Sequence, residues 1–575
     1  MLNVKAFIAA AAAASAAAGA AAAVKDKKFC PLCAVKKLTG ALKVHPLETD
    51  LYSNGTALTP PMGWSSWNLF RNHINEVLIY EIAEAMKNSG LADCGYKYVN
   101  LDDCWQSSVR DKDGRLQGDL TNFRSGIPAL VKKVNALGLK LGIYASNGTL
   151  TCEDLPSCYG SEALDAQTFA EWGVEYFKYD YCHNVPIPTA APQIDKILIG
   201  KAGGPVLVTL QAEKGELRGL ARVVEDKRLD SGKYVTGLSS GAGQIVFYDV
   251  ELPEDGEYVV TVVVRKFGTW RKHLEISANG EKAVSADAPS TISRTVDGRV
   301  QATVDLRAGK NSLMLFNPIT SRFDSSARQY SEMGRLLKEA TAKVAEETGE
   351  PEKPICYSIC EWGMNLPWKW AMKAGNLWRT SLDIFPNWAS IVANYEQCVI
   401  HPDAAGPGNW NDPDMLEVGN GELTETENKA HFSLWCMMAS PLILGNDVRT
   451  FVDADGSPKK DDPVLKILTN KELIAIDQDP LGMQCRRFRT NGVTDVLVKK
   501  LASGKVAVCF FNKLGKETKM SCRLNDVYSK PYVNLPVTDG FGVRDVWGGT
   551  EFTVENELSA TVPAHGVRVF VCSQD

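Results

Sequence analysis

Tyr176-Phe-Lys-Tyr-Asp180 and Leu377-Trp-Arg-Thr-Ser-Leu-Asp383 each run from apolar residues into an acid, and they are two of eight short apolar runs that end in polar or acidic side chains. Runs of this kind that alternate with helical segments imply parallel βαβ units. A parallel barrel of eight such units exposes the carboxyl ends of its strands at one mouth, so candidate chemistry belongs at the strand ends.

Outward from Asp180 the alternation is regular. Upstream lie Met62-Gly-Trp-Ser-Ser-Trp67, a helix over 76–90, Tyr96-Lys-Tyr-Val-Asn-Leu-Asp102-Asp103, a helix over 126–138, Leu139-Lys-Leu-Gly-Ile-Tyr144 and a helix near 162–173. Leu78, Ile82 and Met86 recur at fourfold spacing, as one face of a helix does. Downstream the pattern breaks over 190–325, where Gly256-Glu-Tyr-Val-Val-Thr-Val-Val-Val-Arg265 and Asn311-Ser-Leu-Met-Leu-Phe316 alternate between turn signals and predict an inserted β-sandwich. A helix over 328–348 and four further strands, ending near Cys360, Arg379, Asp414 and Leu444, complete a count of eight. From 477 onward strand-like runs follow one another without helices. The expected fold is α/β, a (β/α)8 barrel over 51–189 and 326–476, with a jelly-roll-like insert over 190–325 and an antiparallel β domain over 477–575.

The chain has 575 residues, a formal net charge of −6, 45% hydrophobic and 23% charged residues, which describes a multidomain globular protein. With no basic block, neither nucleic acid nor an anionic membrane surface is favoured, whereas a neutral ligand such as a sugar fits. Residues 6–24 form an alanine-rich apolar run followed by Lys25-Asp-Lys-Lys28, which reads as an export signal or membrane anchor within an N-terminal segment over 1–50. A secreted or cell-surface location follows from that reading, with a cytoplasmic protein carrying a low-complexity tail as the alternative. Fifteen cysteines are too sparse for a disulfide framework, and Cys30-Pro-Leu-Cys33 has no second pair or histidine in zinc spacing.

Retaining cleavage of a glycosidic bond needs two carboxyl groups about 5–5.5 Å apart, one attacking the anomeric carbon and one protonating the leaving oxygen. Asp180 and Asp383, on the fourth and sixth strand positions, are the candidate pair. Lys178 shares a strand face with Asp180 and is expected to keep it ionised. Asp102 and Asp103 offer acceptors to sugar hydroxyls, Trp64 offers a stacking face, and Arg379 adds a donor fork beside Asp383. A metal-dependent hydrolase using Asp102, Asp103, Asp180, Asp412 and Asp414 is the competing class. It is weakened by the seven histidines, only one of which, His183, lies near a strand-end acid.

Thr59-Pro-Pro-Met-Gly-Trp-Ser-Ser-Trp-Asn68, Asn100-Leu-Asp-Asp-Cys-Trp105, Leu141-Gly-Ile-Tyr144, Lys178-Tyr-Asp180, Cys360-Glu-Trp362, Trp378-Arg-Thr-Ser-Leu-Asp383 and Trp410-Asn-Asp-Pro-Asp-Met-Leu416 together resemble the α-galactosidases of glycoside hydrolase family 27. The resemblance covers about 59–185 and 326–575. It implies exo-hydrolysis of terminal α-D-galactosyl residues from oligosaccharides or glycoconjugates by double displacement, with no cofactor required for catalysis. It makes Asp180 the nucleophile and Asp383 the acid/base, and puts Trp64, Asp102, Asp103, Tyr144, Lys178, Glu361, Trp362, Arg379 and Asp414 around the sugar. It also implies a disulfide between Cys152 and Cys182 at the site's edge. By like-charge proximity Asp383 is expected to have a raised pKa beside an ionised Asp180.

Glu361 stands where relatives acting on α-N-acetylgalactosamine have small residues, so galactose is the implied sugar. Cys104 matches a family cysteine whose partner is missing, since the loop after the first strand reads Phe70-Arg-Asn-His-Ile-Asn75. In the insert, Gln211-Ala-Glu213, Gly232-Lys-Tyr-Val-Thr-Gly-Leu238 and Val304-Asp-Leu-Arg-Ala-Gly-Lys-Asn-Ser-Leu313 are similar to carbohydrate-binding modules related to families 6 and 35, which implies a structural calcium, assigned to Glu213 and Asp305. Phe267 and Trp270, in a Lys/Arg-rich loop, offer either sugar stacking or edge packing, and a sandwich that only shapes or shields the entrance is the alternative. The alternatives left open are a β-L-arabinopyranosidase, an α-N-acetylgalactosaminidase and a non-catalytic sugar-binding surface protein. The oligomeric state is not specified by the sequence.

Overall fold

A computed structural model of the chain describes residues 50–265, 270–288 and 298–574. The export or anchor segment, Cys30, Cys33 and Phe267 lie outside the described residues. Among the described residues no helix is long and apolar enough to cross a membrane.

Eight parallel strands form the central sheet: β1 (Met62–Ser65), β2 (Tyr98–Asn100), β3 (Lys140–Ser146), β4 (Tyr176–Asp180), β5 (Cys356–Ile359), β6 (Leu377–Arg379), β7 (Trp410–Asp412) and β8 (Leu442–Leu444). Their order is β7-β6-β5-β4-β3-β2-β1-β8. The remaining seam, between the two ends of that order, is bridged where the chain beyond β7 returns: Leu416 pairs in parallel with Leu444. All the strands but β3 and β4 are buried along their whole length, as a sheet covered on both faces must be. Gly142 in β3 is required by this packing, because a Cβ there would meet Asn100 Oδ1 at 2.0 Å.

Helices α1 (Glu76–Asn88), α2 (Ile127–Ala136) and α3 (Glu162–Trp172) connect the first four strands. Asn75 starts α1 by accepting the N–H groups of Val77 and Leu78, and Leu78, Ile79, Ile82 and Met86 turn inward. Caps of this kind contribute about 1 kcal/mol. After β4 comes the insert, and then α4 (Arg322–Thr348), in which Tyr330 donates its hydroxyl to the Asp180 carbonyl at 3.0 Å. Two 3₁₀ turns, Pro367–Lys369 and Ala371–Lys373, replace a helix between β5 and β6. Helix α5 (Trp388–Cys398) follows β6, and α6 (Glu425–Met437), opened by a Thr424–Glu427 capping box, follows β7.

The described residues divide into two compact units, one within Pro186–Arg328 and one holding the described residues before and after it. The first unit is a sandwich of two antiparallel sheets whose inner faces share one core, including Ile194, Ile197, Val260, Val262, Ile245 and Leu315. Within the second unit the C-terminal region carries a six-stranded sheet beginning at Arg486–Thr490 and a two-stranded sheet of Thr518–Arg523 with Glu557–Val562. Val508, Phe510, Met520, Leu558 and Phe570 fill the space between them.

Candidate active site

Lys178 lies inside β4 and points from the sheet toward the barrel mouth, where its Nζ is 2.8 Å from Asp102 Oδ2. Burial works against its charge, yet Asp102 and the neighbouring acids keep the ammonium well above the ordinary lysine range. Asp102 is fixed at the β2 end by Ser66, whose Oγ accepts its N–H at 3.0 Å, and by Ser65, whose hydroxyl donates to Oδ2 at 3.4 Å. Asp103 beside it accepts the N–H groups of Cys104 at 2.8 Å and Glu153 at 3.0 Å, and burial lifts its pKa to about 6.

Asp180 closes β4 and is 5% exposed. The Tyr144 hydroxyl donates to its Oδ2 at 3.1 Å, and its Oδ1 takes the Tyr181 N–H at 2.8 Å. Burial pushes Asp180 up to about 6; Lys178 opposes that rise and Asp383 adds to it. Across the mouth, the buried Arg379 at the end of β6 reaches Asp383 at 3.1 Å and Asp414 at 2.9 Å through one nitrogen. Burial raises Asp414, which also holds the Ile384 N–H at 2.8 Å and sits at φ 86°. A non-glycine residue in that region stores strain, a feature that clusters at functional sites.

Asp383 stands four residues beyond β6, in a loop rather than on the strand, and its side chain is 55% exposed. What burial it has would raise its pKa, but Arg379 and then Lys178 outweigh that and hold it below the ordinary carboxylate value. The expected electrostatic order is therefore reversed, with Asp180 raised and Asp383 lowered. Lys178 spends its charge first on Asp102, leaving Asp180 governed by desolvation, while Asp383 lies against a guanidinium.

Trp64 also departs from expectation. It is 0% exposed, its indole N–H donates to the Asn446 carbonyl at 2.8 Å and its ring packs on Phe70, so it presents no open face for stacking. Glu361, fully buried after β5, accepts the Asn365 N–H at 2.5 Å within a tight turn. Gly363 permits that turn: φ is 71°, and a Cβ would meet the Thr380 carbonyl at 2.4 Å. Trp362 packs edge-on against Tyr181. Cys152 and Cys182 form a disulfide that ties the loop after β3 to the loop after β4.

Asp412, which the sequence offered only to the competing metal site, and two residues given no role from the sequence, Glu417 and Arg71, belong to this mouth. Asp412, at the end of β7, lines the cavity between Lys178 and Arg379 and is raised to about 6 by burial. Glu417 accepts Asn68 Nδ2 at 2.7 Å and is raised to about 7, chiefly by burial. Arg71 lies on the rim and acts electrostatically on both Asp383 and Glu417. The Trp410–Leu416 motif pointed to Asp412, whereas Glu417 and Arg71 carry no periodic signal.

The acids do not converge as a metal site. Asp102, Asp383 and Asp414 are committed to Lys178 or Arg379. Among the described residues, the one cluster of three ligand-type groups is Cys152, Asp180 and Cys182, whose sulfurs are bonded to each other. In the insert, Glu213 and Asp305 are not brought together. Gln211, two residues before Glu213, pairs with Lys196, whereas Asp305 pairs with Glu257 beyond the Gly200 end of the same strand. At least four strand residues separate the two positions, roughly 13 Å, so they do not fit one calcium ion. Trp270 is 78% exposed.

Two family models match this chain: alpha galactosidase A over residues 59–200 and 322–479, and the alpha galactosidase C-terminal beta sandwich domain over 491–572. The matches leave most of the insert uncovered. Alpha-galactosidase 2 of Arabidopsis thaliana is 30% identical over 526 residues, covering 91% of this chain and 92% of its own. An alpha-galactosidase of Coffea arabica is 31% identical over 524 residues, covering 91% and 96%. Among solved structures, alpha-galactosidase I from Mortierella vinacea aligns with a TM-score of 0.60 and 27% identity, covering 91% of this chain and 99% of that one. By its barrel, its terminal sandwich, its strand-end carboxylates and these matches, the chain belongs to the alpha-galactosidase family, glycoside hydrolase family 27.

Proposed function

We propose that the protein is a retaining exo-α-galactosidase, with Asp180 as nucleophile and Asp383 as acid/base. The observation that carries this reading is the pair itself: two carboxylates, each within electrostatic reach of the other, stand at one barrel mouth. One is enclosed beside Tyr144 and the other opens to solvent, as attack from within and proton donation toward the leaving group require. Asp102, Asp103, Lys178, Arg379, Asp412 and Asp414 supply a dense donor and acceptor set for the hydroxyls of one terminal sugar. Oligosaccharides or glycoconjugates ending in α-galactose are the substrate class.

Glu361 supports galactose over its N-acetyl relative, since a buried carboxylate fixed by its own turn leaves no room for an acetamido group at that position. Release of nitrophenol from the α-galactoside, against the α-N-acetylgalactosaminide and the β-L-arabinopyranoside, tests the assignment. Turnover of the galactoside that is lost in Asp180→Ala, with the α-anomer of galactose appearing first by NMR, is the expected result. A folded wild type that turns over none of them would make the chain a sugar-binding protein.

We also infer a structural cation site in the insert, built on Asp195 and Glu213 rather than Asp305. Asp195 is 4% exposed, and its Oδ1, Glu213 Oε2, Gln193 Oε1 and Gln211 Oε1 are all buried without a hydrogen-bond partner. The ladder pairs Lys196, next to Asp195, with Gln211, two residues before Glu213, and Glu213 acts electrostatically on Asp195. Oxygen donors left unpaired in this way suit a hard cation such as calcium.

A further inference from the structure

The loop after β1 turns sharply at Phe70–His73, where His73 N–H donates to the Phe70 carbonyl at 2.8 Å. Arg71, second in that turn, has φ 51° and ψ −125°, a conformation that glycine adopts freely and that costs other residues about 1–3 kcal/mol. The strained residue is long and cationic. Its guanidinium lies 5.0 Å from the centre of the Trp67 ring, and its side chain is exposed with no ion pair or hydrogen bond among the described residues.

Apart from Lys178 and Arg379, the charged side chains named around the mouth are carboxylates. Asp102, Asp103, Asp180, Asp383, Asp412, Asp414 and Glu417 supply carboxylates, while Lys178 and Arg379 are engaged in ion pairs. Arg71 acts electrostatically on Asp383, whose side chain is open to solvent, as are its neighbours Leu382 and Phe385 at 38% and 54% exposure. The carboxyl group that protonates the leaving oxygen borders the leaving group. Among these groups Arg71 is the cation without an ion pair, so a negatively charged leaving group would find its counter-charge at the Arg71–Trp67 contact.

We propose that Arg71, stacked on Trp67, recognises an anionic group on the aglycone, so that the favoured substrates are α-galactosides whose leaving group carries a carboxylate, sulfate or phosphate. The Trp67 contact narrows the positions open to the guanidinium, whose planar fork can make paired hydrogen bonds to such an anion. This rests on the reading of Asp383 as acid/base.

The test compares kcat/KM for the 3- and 4-carboxyphenyl α-galactosides with that for their uncharged carbamoyl isosteres, in wild type, Arg71→Gln, Arg71→Lys and Arg71→Gly. The expected result is a carboxylate-to-carbamoyl ratio in wild type that falls about five- to tenfold in Arg71→Gln and Arg71→Gly, falls less in Arg71→Lys, and shrinks with added salt. Arg71→Gly guards against misfolding, because glycine is the residue this turn accommodates without strain. A ratio that is the same in wild type and Arg71→Gln, even if both rates drop, would overturn the proposal and leave Arg71 as an influence on Asp383 alone. Wild type that hydrolyses neither isostere, nor nitrophenyl α-galactoside, would remove the glycosidase reading first, and this one with it.

Discussion

Asp180 and Asp383 show how depth and partner choice set a proton's place. With Asp180 lifted to about 6 and Asp383 held low, the singly protonated pair keeps its proton mainly on the nucleophile, and the productive arrangement is the minor one. Above pH about 6 both groups ionise and no proton donor remains; below the pKa of Asp383 both are protonated and no nucleophile remains. The pH profile of kcat/KM is therefore expected to peak on the acid side of 6 and to fall about tenfold per unit well above it. A flat profile through pH 8 would contradict the shared-proton account. Asp383→Ala is expected to lower kcat/KM by about 10²–10⁴ for alkyl α-galactosides and far less for nitrophenyl α-galactoside, whose leaving group needs little protonation. Equal losses on both substrates, read by steady-state kinetics, would place the acid elsewhere.

Loops between elements carry much of the site's order. The Cys152–Cys182 bond closes a segment with a sequence separation of 30 across the mouth. Replacing both by serine is expected to cost about 2–4 kcal/mol in urea unfolding, with a rise in KM as the loops after β3 and β4 loosen. In the insert, the ladder around Asp195 and Glu213 predicts that calcium raises the melting temperature above that in EDTA, and that Asp195→Asn or Glu213→Gln removes the difference while Asp305→Asn keeps it. Loss of the calcium response in Asp305→Asn would restore the original pairing. The strand register, which the amino-acid pattern left open, is what separates Glu213 from Asp305.

The whole molecule is two compact units with their own cores, one of them interrupting the other's chain. Differential scanning calorimetry is expected to resolve two transitions, with calcium moving only one; a single transition with equal calorimetric and van't Hoff enthalpies would show the units to be one cooperative block. By itself the sequence determined the eight strands, the sandwich that interrupts them and the acids at their ends, because apolar periodicity and turn chemistry are local properties that burial only reinforces. It also named Asp180, Asp383, Lys178 and Arg379. Tertiary structure alone decided which charges meet. Lys178 forms its ion pair with Asp102 while also acting on Asp180, Arg379 spans Asp383 and Asp414, Trp64 is enclosed, and Arg71 stands on the rim, since Coulomb energy and desolvation depend on distance and depth that no residue pattern encodes.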